Sequence, residues 1–233
     1  MTNKKFCVIG CGYFGYNLAI YLHRAGAEVL AIDRNEDIIE KLSEQVTHVI
    51  AMDSTDKRAM KKLGLAEMDA VIIAIGEGFE SSVLTTALLQ ELGVKNIYNR
   101  ITSQIHERLV NLMGVTEKFV PEAEAADHLA NRLMISNLLE MFRITENYGI
   151  FEINAPKVFF KKKLIDINLR ENYSLNLVTI KRKTEKKKIL PTKVDEEFDV
   201  IGVPRPDTVI EEGDILVLSG FFKDFLTIAE NED

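Results

Sequence analysis

The sequence predicts an α/β protein whose N-terminal part is a Rossmann-type, doubly wound parallel sheet. Three observations lead to this fold class. Short apolar runs alternate with helical patterns over the first 142 residues, a glycine-rich motif follows the first run, and an aspartate closes the second. Because strands joined by helices pair in parallel through right-handed crossovers, this alternation predicts one sheet with helices on both faces.

The individual elements follow from apolar spacing and from residues that end them. A first apolar run stops at glycine, and the next segment has apolar residues at helical spacing up to Gly26. Asn35 is a suitable cap for the second helix, and a wholly apolar fourth run suits a strand buried on both faces. The predicted strands are 6–9, 28–32, 48–51, 70–75, 96–100 and 118–120, and the predicted helices are 13–24, 36–45, 55–63, 77–92 and 104–113.

A long helical pattern over 122–142 then leads away from the sheet, and the character of the chain changes. Four of the five prolines lie beyond it, between short β-like runs. We therefore predict a first domain with its long helix over residues 1–142 and a small α+β domain over 143–233. Its predicted strands are 149–153, 175–180, 200–203 and 214–219.

Composition excludes several classes of protein. With 46% hydrophobic and 28% charged residues in 233, the chain is not disordered or collagen-like, and its net charge of −7 is not typical of a nucleic-acid binder. Cys7 and Cys11 are too few and too close for a disulfide framework, which favours a reducing, cytoplasmic location. The uncharged stretch 6–23 contains three glycines, Asn17 and His23, so we do not expect a signal peptide or a membrane span there.

Charge is segregated in the second half. Residues 157–193 hold 12 Lys/Arg against 3 Asp/Glu, whereas residues 194–233 hold 2 against 12. The basic segment is most dense at 161–163 and 186–188. A solvated hairpin, a basic surface facing an anionic ligand or membrane, and neutralisation by the acidic tail all remain open.

The motif that carries chemistry is Gly10-Cys11-Gly12-Tyr13-Phe14-Gly15, a G-x-G-x-x-G between a predicted strand and a predicted helix. Gly10 permits the tight turn, Gly12 leaves room for a pyrophosphate, and Gly15 lets helix and strand pack closely. Asp33 ends the second strand, where a carboxylate accepts hydrogen bonds from ribose hydroxyls. This carboxylate disfavours a 2′-phosphate, whereas the adjacent Arg34 would attract one, so NADP stays open. The sequence therefore predicts a nucleotide site.

Groups for catalysis are not evident beside this motif. None of the four histidines falls in a catalytic constellation, and we find no P-loop, serine elbow or metal-ligand cluster. A binding module fits better than an enzyme. A small NAD-dependent oxidoreductase and a nucleotide-binding scaffold are the alternatives.

Further segments then match a known family. In the first half they are Ala51 to Thr55 after the third strand, Ala74-Ile75-Gly76 after the fourth, Arg100 after the fifth, and the turn Val120-Pro121-Glu122. In the second half they are the segments 169–182 and 206–220, which are similar to the C-terminal effector domain of that family. With these segments the chain resembles the RCK family (regulators of potassium conductance), specifically the Trk/Ktr-type cytosolic regulatory subunits of bacterial potassium uptake systems.

The resemblance implies a homodimer that assembles into a ring, often an octamer, beneath an integral-membrane potassium-translocating subunit. Binding of an adenine nucleotide, either NAD/NADH or ATP/ADP, changes the shape of the ring and gates transport, and no reaction is catalysed. The implied nucleotide-binding residues are Gly10, Cys11, Gly12, Tyr13, Phe14, Gly15, Asp33, Arg34, Asp53, Ser54, Ala74, Ile75, Gly76 and Arg100.

Three further positions are implied by the resemblance alone. Glu122 matches a glutamate that holds a divalent or sodium cation or contacts the nucleotide site, although it is equally a first-turn carboxylate favoured by the helix dipole. Arg170 and Asn176 match positions that contact cyclic di-AMP in some members. Tyr13 departs from members with arginine there, so NAD(H), ADP and AMP stand beside ATP as candidate ligands.

Overall fold

The computed structural model describes residues 4–183 and 198–229, which form two compact units, Met1–Ala123 and Glu124–Asp233. The strands of the first unit are β1 (Lys5–Ile9), β2 (Glu28–Asp33), β3 (His48–Ala51), β4 (Ala70–Ile73), β5 (Ile97–Arg100) and β6 (Glu117–Phe119). Its helices are α1 (Tyr13–Arg24), α2 (Glu36–Leu42), α3 (Lys57–Met60), α4 (Phe79–Glu91) and α5 (Gln104–Met113), and α6 (Pro121–Met134) begins in it.

The first unit is a parallel sheet with the strand order β3-β2-β1-β4-β5-β6. The order reverses between β1 and β4, so a crevice opens there beyond the carboxyl ends of the strands. Successive side chains of β1 enter different cores, because Cys7 and Ile9 pack on one face and Val8 on the other. The predicted Rossmann-type fold class is confirmed.

Local sequence explains where the helices near the crevice begin and end. The Asn35 side chain accepts hydrogen bonds from the backbone N–H groups of Asp37 and Ile38 and so caps α2, as predicted. Gly26, with φ of +91°, ends the turn after α1 in the left-handed region that glycine adopts at little cost. The chain therefore reverses sharply into β2.

The second unit contains a five-stranded antiparallel sheet in the order β10-β9-β11-β8-β7, with helices on one face. Phe151 stacks on Phe225 in its core with ring centroids 4.2 Å apart. Its strands are β7 (Leu138–Arg143), β8 (Tyr148–Asn154), β9 (Asn176–Lys183), β10 (Phe198–Val200) and β11 (Ile215–Phe221), and its helices are α7 (Leu164–Ile167), α8 (Leu169–Tyr173) and α9 (Phe222–Ala229).

The predicted helix over 122–142 is wrong in its second half. Helix α6 ends at Met134, Asn137 takes a left-handed φ of 62°, and Leu138–Arg143 forms strand β7. Asparagine tolerates this conformation, which reverses the chain into antiparallel pairing with β8. The compact units consequently divide at 123/124, whereas the sequence predicts a division at 142/143.

Two other predictions in the second half concern the strand 200–203 and the basic segment 157–193. Only Val200 of the predicted strand 200–203 belongs to β10, because Gly202 adopts a φ of +72° and Pro204 follows it. Residues 186–188 lie outside the described residues. Within the described part, Arg182 pairs with Asp214, so some basic charge of 157–193 is neutralised by the acidic segment.

Candidate functional site

The crevice at the carboxyl ends of the first sheet is a cavity of about 420 Å³, within the usual range for small-molecule sites. It lies at the strand-order reversal and is built from the ends of β1 to β5 and the loops that follow them. The lining residues are Ile9, Gly10, Gly12, Ile32, Asp33, Arg34, Asn35, Ile38, Met52, Asp53, Ser54, Ala74, Ile75, Gly76, Glu77, Ser81 and Arg100.

Each glycine of the motif has a distinct geometric requirement. Gly10 has a φ of +88°, and a Cβ there would lie 2.8 Å from the backbone nitrogen of Ile75. A Cβ on Gly15 would lie 2.0 Å from the carbonyl oxygen of Gly10, so helix and turn meet with no room for a side chain. Around Gly12, no atom of the described residues beyond its chain neighbours lies within 4 Å of such a Cβ, which leaves open space in front of the loop.

The open space faces the N-terminus of α1. Gly12 is the N-cap of this helix, no side chain caps it, and its first turn carries no acidic residue. The free backbone N–H groups and the positive end of the helix dipole therefore favour an anion. This geometry suits the diphosphate of a nucleotide.

Asp33 lies beside this loop and is fixed by backbone donors. Its Oδ2 accepts a hydrogen bond of 2.6 Å from the N–H of Cys11, and its Oδ1 accepts one of 2.8 Å from the N–H of Asn35. Each carboxylate oxygen keeps further acceptor capacity, because an ionised carboxylate offers about four lone-pair sites. The carboxylate can therefore accept from the two hydroxyls of a ribose.

Asp53 and Ser54 form the side of the crevice that follows β3. The backbone N–H and the hydroxyl of Thr55 both donate to Asp53, which holds the pKa of this carboxyl below its usual value. Ser54 is nearly buried, and its hydroxyl pairs with that of Thr85 at 2.8 Å. Both side chains are thus held by internal contacts where they line the cavity.

Arg100 closes the opposite side of the crevice. Its guanidinium lies over Gly76, where a Cβ would approach Nη1 to 2.8 Å. Nη1 donates to the carbonyl oxygen of Ala74 at 3.4 Å and Nη2 donates to the carboxylate of Glu122. Nε is buried and has no hydrogen-bond partner among the described residues. One cation is therefore shared between the cavity wall and the first turn of α6.

The structure separates the predicted site residues into two groups. Ten of them line the cavity, whereas Cys11, Tyr13, Phe14 and Gly15 do not. Cys11 is buried, and burial raises the pKa of its thiol to about 12. Phe14 packs on Phe119 with ring centroids 5.2 Å apart, and Tyr13 is 92% exposed. These four residues shape the loop: the N–H of Cys11 donates to Asp33, and the ring centroid of Phe14 lies 6.0 Å from the guanidinium carbon of Arg100.

Seven lining residues were not predicted from the sequence: Ile9, Ile32, Asn35, Ile38, Met52, Glu77 and Ser81. Several are the last residues of strands or directly follow them, which is a signal available once the strands are predicted. Glu77 and Ser81 depend on the path of the chain between β4 and α4, which no motif indicates.

Metal and catalytic groups can be compared only within the described part of the chain. No group of three His, Cys, Asp or Glu side chains there is arranged to hold a metal ion, and Glu122 is paired with Arg100. No histidine lines the crevice within residues 4–183 and 198–229, and His106 is fully buried in α5. The crevice offers hydrogen-bond acceptors and an anion site, which suits binding.

In the second unit, the two predicted effector residues are brought together. Arg170 lies in α8 and Asn176 begins β9, and the Nε of the former donates to the side-chain oxygen of the latter at 3.0 Å. Both side chains are exposed. A guanidinium in this position suits a phosphate.

Comparisons with known proteins agree with this geometry. The TrkA-N domain family matches residues 6–121. The chain is 34% identical to Ktr system potassium uptake protein C of Bacillus subtilis (strain 168) over 221 residues, covering 95% of this chain and 94% of that protein. It is 32% identical to Ktr system potassium uptake protein A of the same organism over 232 residues, covering 100% and 98%.

Solved structures share the fold at lower identity. The RCK domain of GsuK aligns with a TM-score of 0.64 and 16% identity, covering 100% of this chain and 49% of that one. The GsuK channel bound to NAD aligns with a TM-score of 0.62 and 17% identity, covering 99% and 39%. The chain thus spans half or less of the GsuK chains that it matches.

Proposed function

This chain belongs to the RCK family, among the relatives of the Ktr potassium uptake proteins, and on that premise we propose that it is the nucleotide-binding regulatory subunit of a potassium transport system. The observation that carries the proposal is the crevice at the strand-order reversal. An open, uncapped helix N-terminus and a fixed carboxylate lie side by side there. The chain binds a ligand and changes transport elsewhere, without catalysing a reaction.

The ligand that the crevice supports is an adenine nucleotide. Asp33 would accept from the ribose, the Gly12 loop would bind the diphosphate, and Arg100 in the cavity lining is the proposed partner of a further phosphate. NAD and NADH are supported by the related fold of a channel whose structure is bound to NAD. ATP and ADP remain alternatives, although exposed Tyr13 supplies no charge to a terminal phosphate.

Regulation requires a ligand that binds two states of the protein unequally. We propose that the chain forms homodimers that assemble into a ring, as an octamer, beneath an integral-membrane potassium-translocating subunit. Leu129, Leu133 and Met134 of α6 support a dimer contact, because they are exposed in the single chain at 54%, 76% and 83%.

The proposed location is the cytoplasmic face of the membrane, reached through the transporter subunit. Among the described residues, no helix has the length and apolar character needed to span a bilayer. In the second unit, Arg170 and Asn176 form the proposed contact for cyclic di-AMP. Glu122 stays the proposed position for a cation.

Titration calorimetry with ATP, ADP, NAD and NADH tests the nucleotide site. At least one of these should bind, and Asp33→Ala should weaken binding about tenfold or more through the lost ribose contacts. Asp37→Ala, at an exposed position in the first turn of α2, is the matched control and should bind normally. Absence of binding by all four nucleotides would refute the proposal.

The partner is tested separately. The tagged chain should co-purify with a multi-span potassium-translocating protein from membranes of the source organism. Recovery of the chain alone, with nucleotide bound, would favour the scaffold alternative.

A further inference from the structure

We propose that Glu122 is an internal counter-ion that competes with the phosphates of the bound nucleotide for Arg100. This inference rests on the proposed nucleotide site and names how that site is regulated. Arg100 lines the cavity, and its side chain is only 15% exposed. Glu122 lies outside the cavity lining, at the second position of α6, and its side chain is 61% exposed.

Glu122 bonds the guanidinium nitrogen that a phosphate needs for its strongest contact with Arg100. An arginine binds a phosphate most strongly through two parallel N–H groups. Nη1 lies on the same side as Cδ, so both available pairs, Nη1 with Nη2 and Nη2 with Nε, include Nη2. Nη2 carries two N–H groups, one for each pair, so its bond to Glu122 takes one pair and leaves the other for a phosphate that must share Arg100 with Glu122.

The other two nitrogens of the Arg100 guanidinium do not use their full hydrogen-bonding capacity. Nη1 makes one long hydrogen bond of 3.4 Å to the carbonyl oxygen of Ala74, and within the described part of the chain the buried Nε has no hydrogen-bond partner. An unpartnered buried donor costs free energy, which the side chain would recover by turning Nε towards a phosphate oxygen in the cavity. The cavity therefore contains a cation with unused hydrogen-bonding capacity.

Charge favours the same exchange. Glu122 places a negative charge beside the guanidinium that would receive the phosphate, and two like charges near one cation repel each other. A phosphate that takes Nη2 consequently weakens the hold of Arg100 on Glu122. Since Glu122 belongs to the first turn of α6, occupancy of the crevice would release the start of that helix.

The test is a calorimetric titration of ADP, which is common to ATP and NAD, and of adenosine, which has no phosphate. The proteins are the wild type, Glu122→Gln, the matched control Glu124→Gln, Arg100→Gln and the double variant R100Q/E122Q. The titrations are made without divalent cations. Glu124 lies two residues further along α6 and undergoes the same loss of charge.

We expect Glu122→Gln to bind ADP about two- to fivefold more tightly than the wild type. This factor corresponds to the free energy of a partly exposed ion pair, which ADP no longer has to overcome in the variant. Adenosine affinity should be unchanged, Glu124→Gln should match the wild type, and E122Q should have no effect in the Arg100→Gln background. Unchanged or weaker binding of ADP by Glu122→Gln would overturn the inference, as would an equal gain for adenosine. If the wild type and all variants bind neither compound, the proposed function itself fails.

Discussion

Substituting the first-helix glycines separates their roles in folding from their role in binding. At Gly15, alanine gains about 1 kcal/mol of helix propensity, but its Cβ would lie 2.0 Å from a backbone carbonyl oxygen. Neither the helix nor the turn at Gly10 has a flexible atom there that could yield, and overpacking of this kind costs about 1–3 kcal/mol or more. We expect Gly15→Ala to destabilise the protein by about 2 kcal/mol.

Gly12→Ala should behave oppositely. Gly12 has an extended backbone, with φ of −60° and ψ of −171°, that alanine adopts without strain, and no atom lies within 4 Å of the added Cβ. The entropic gain of about 0.4–1 kcal/mol is offset by the poorer N-cap that alanine makes. Stability should stay within about 1 kcal/mol of the wild type, while ADP affinity falls about tenfold or more because the methyl group occupies the diphosphate position.

Urea denaturation and calorimetric titration of ADP on both variants measure these effects. Gly15→Ala should lower the urea midpoint by about 1 M, and Gly12→Ala should leave it nearly unchanged. Equal loss of stability in the two variants, or normal ADP binding by Gly12→Ala, would refute the assignment of the open space to the ligand.

Three further predictions concern a buried histidine, the two thiols and an ion pair of the second unit. Burial lowers the pKa of His106, so its contribution to the free energy of unfolding is fully present above the unfolded pKa of 6.5 and declines as the pH falls below that value. The free energy of unfolding should therefore be lower at pH 5.5 than at pH 7.5, and His106→Gln should reduce this difference. Burial raises the pKa of both thiols, so Cys7 and Cys11 should resist iodoacetamide at pH 8 in the folded protein and react only after unfolding in urea. Labelling of the folded protein would contradict this prediction. Arg182→Met should lower the free energy of unfolding by about 3 kcal/mol, because it leaves the fully buried carboxylate of Asp214 without its bidentate partner. A urea midpoint equal to that of the wild type would count against this prediction.

The N-terminal fold and the centre of the site were predictable because their signals are local. The turn that requires Gly10, the helix start at Gly12 and the close packing at Gly15 all lie within six residues, and Asp33 follows from the end of the next strand. Backbone geometry restricts the residue type at such positions, so the residue type in turn indicates the geometry.

The second half was predicted less well because short apolar runs suit more than one structure. The residues of Leu138–Arg143 continue an apolar pattern that is compatible with a helix, and only antiparallel pairing with β8 makes them a strand. The Ser136-Asn137 pair before them was the available turn signal. Helix α9 was missed because its packing on the sheet, through Phe225, decides its position.

The sequence by itself determined that this chain has a dinucleotide-type crevice and which loop and carboxylate form it. Only the tertiary structure decided that Glu77 and Ser81 complete the cavity and that Arg100 is divided between the cavity wall and Glu122. The reason is physical: a glycine in a turn is required by its own backbone, whereas an ion pair between residues 22 positions apart exists only once the sheet has brought their elements together.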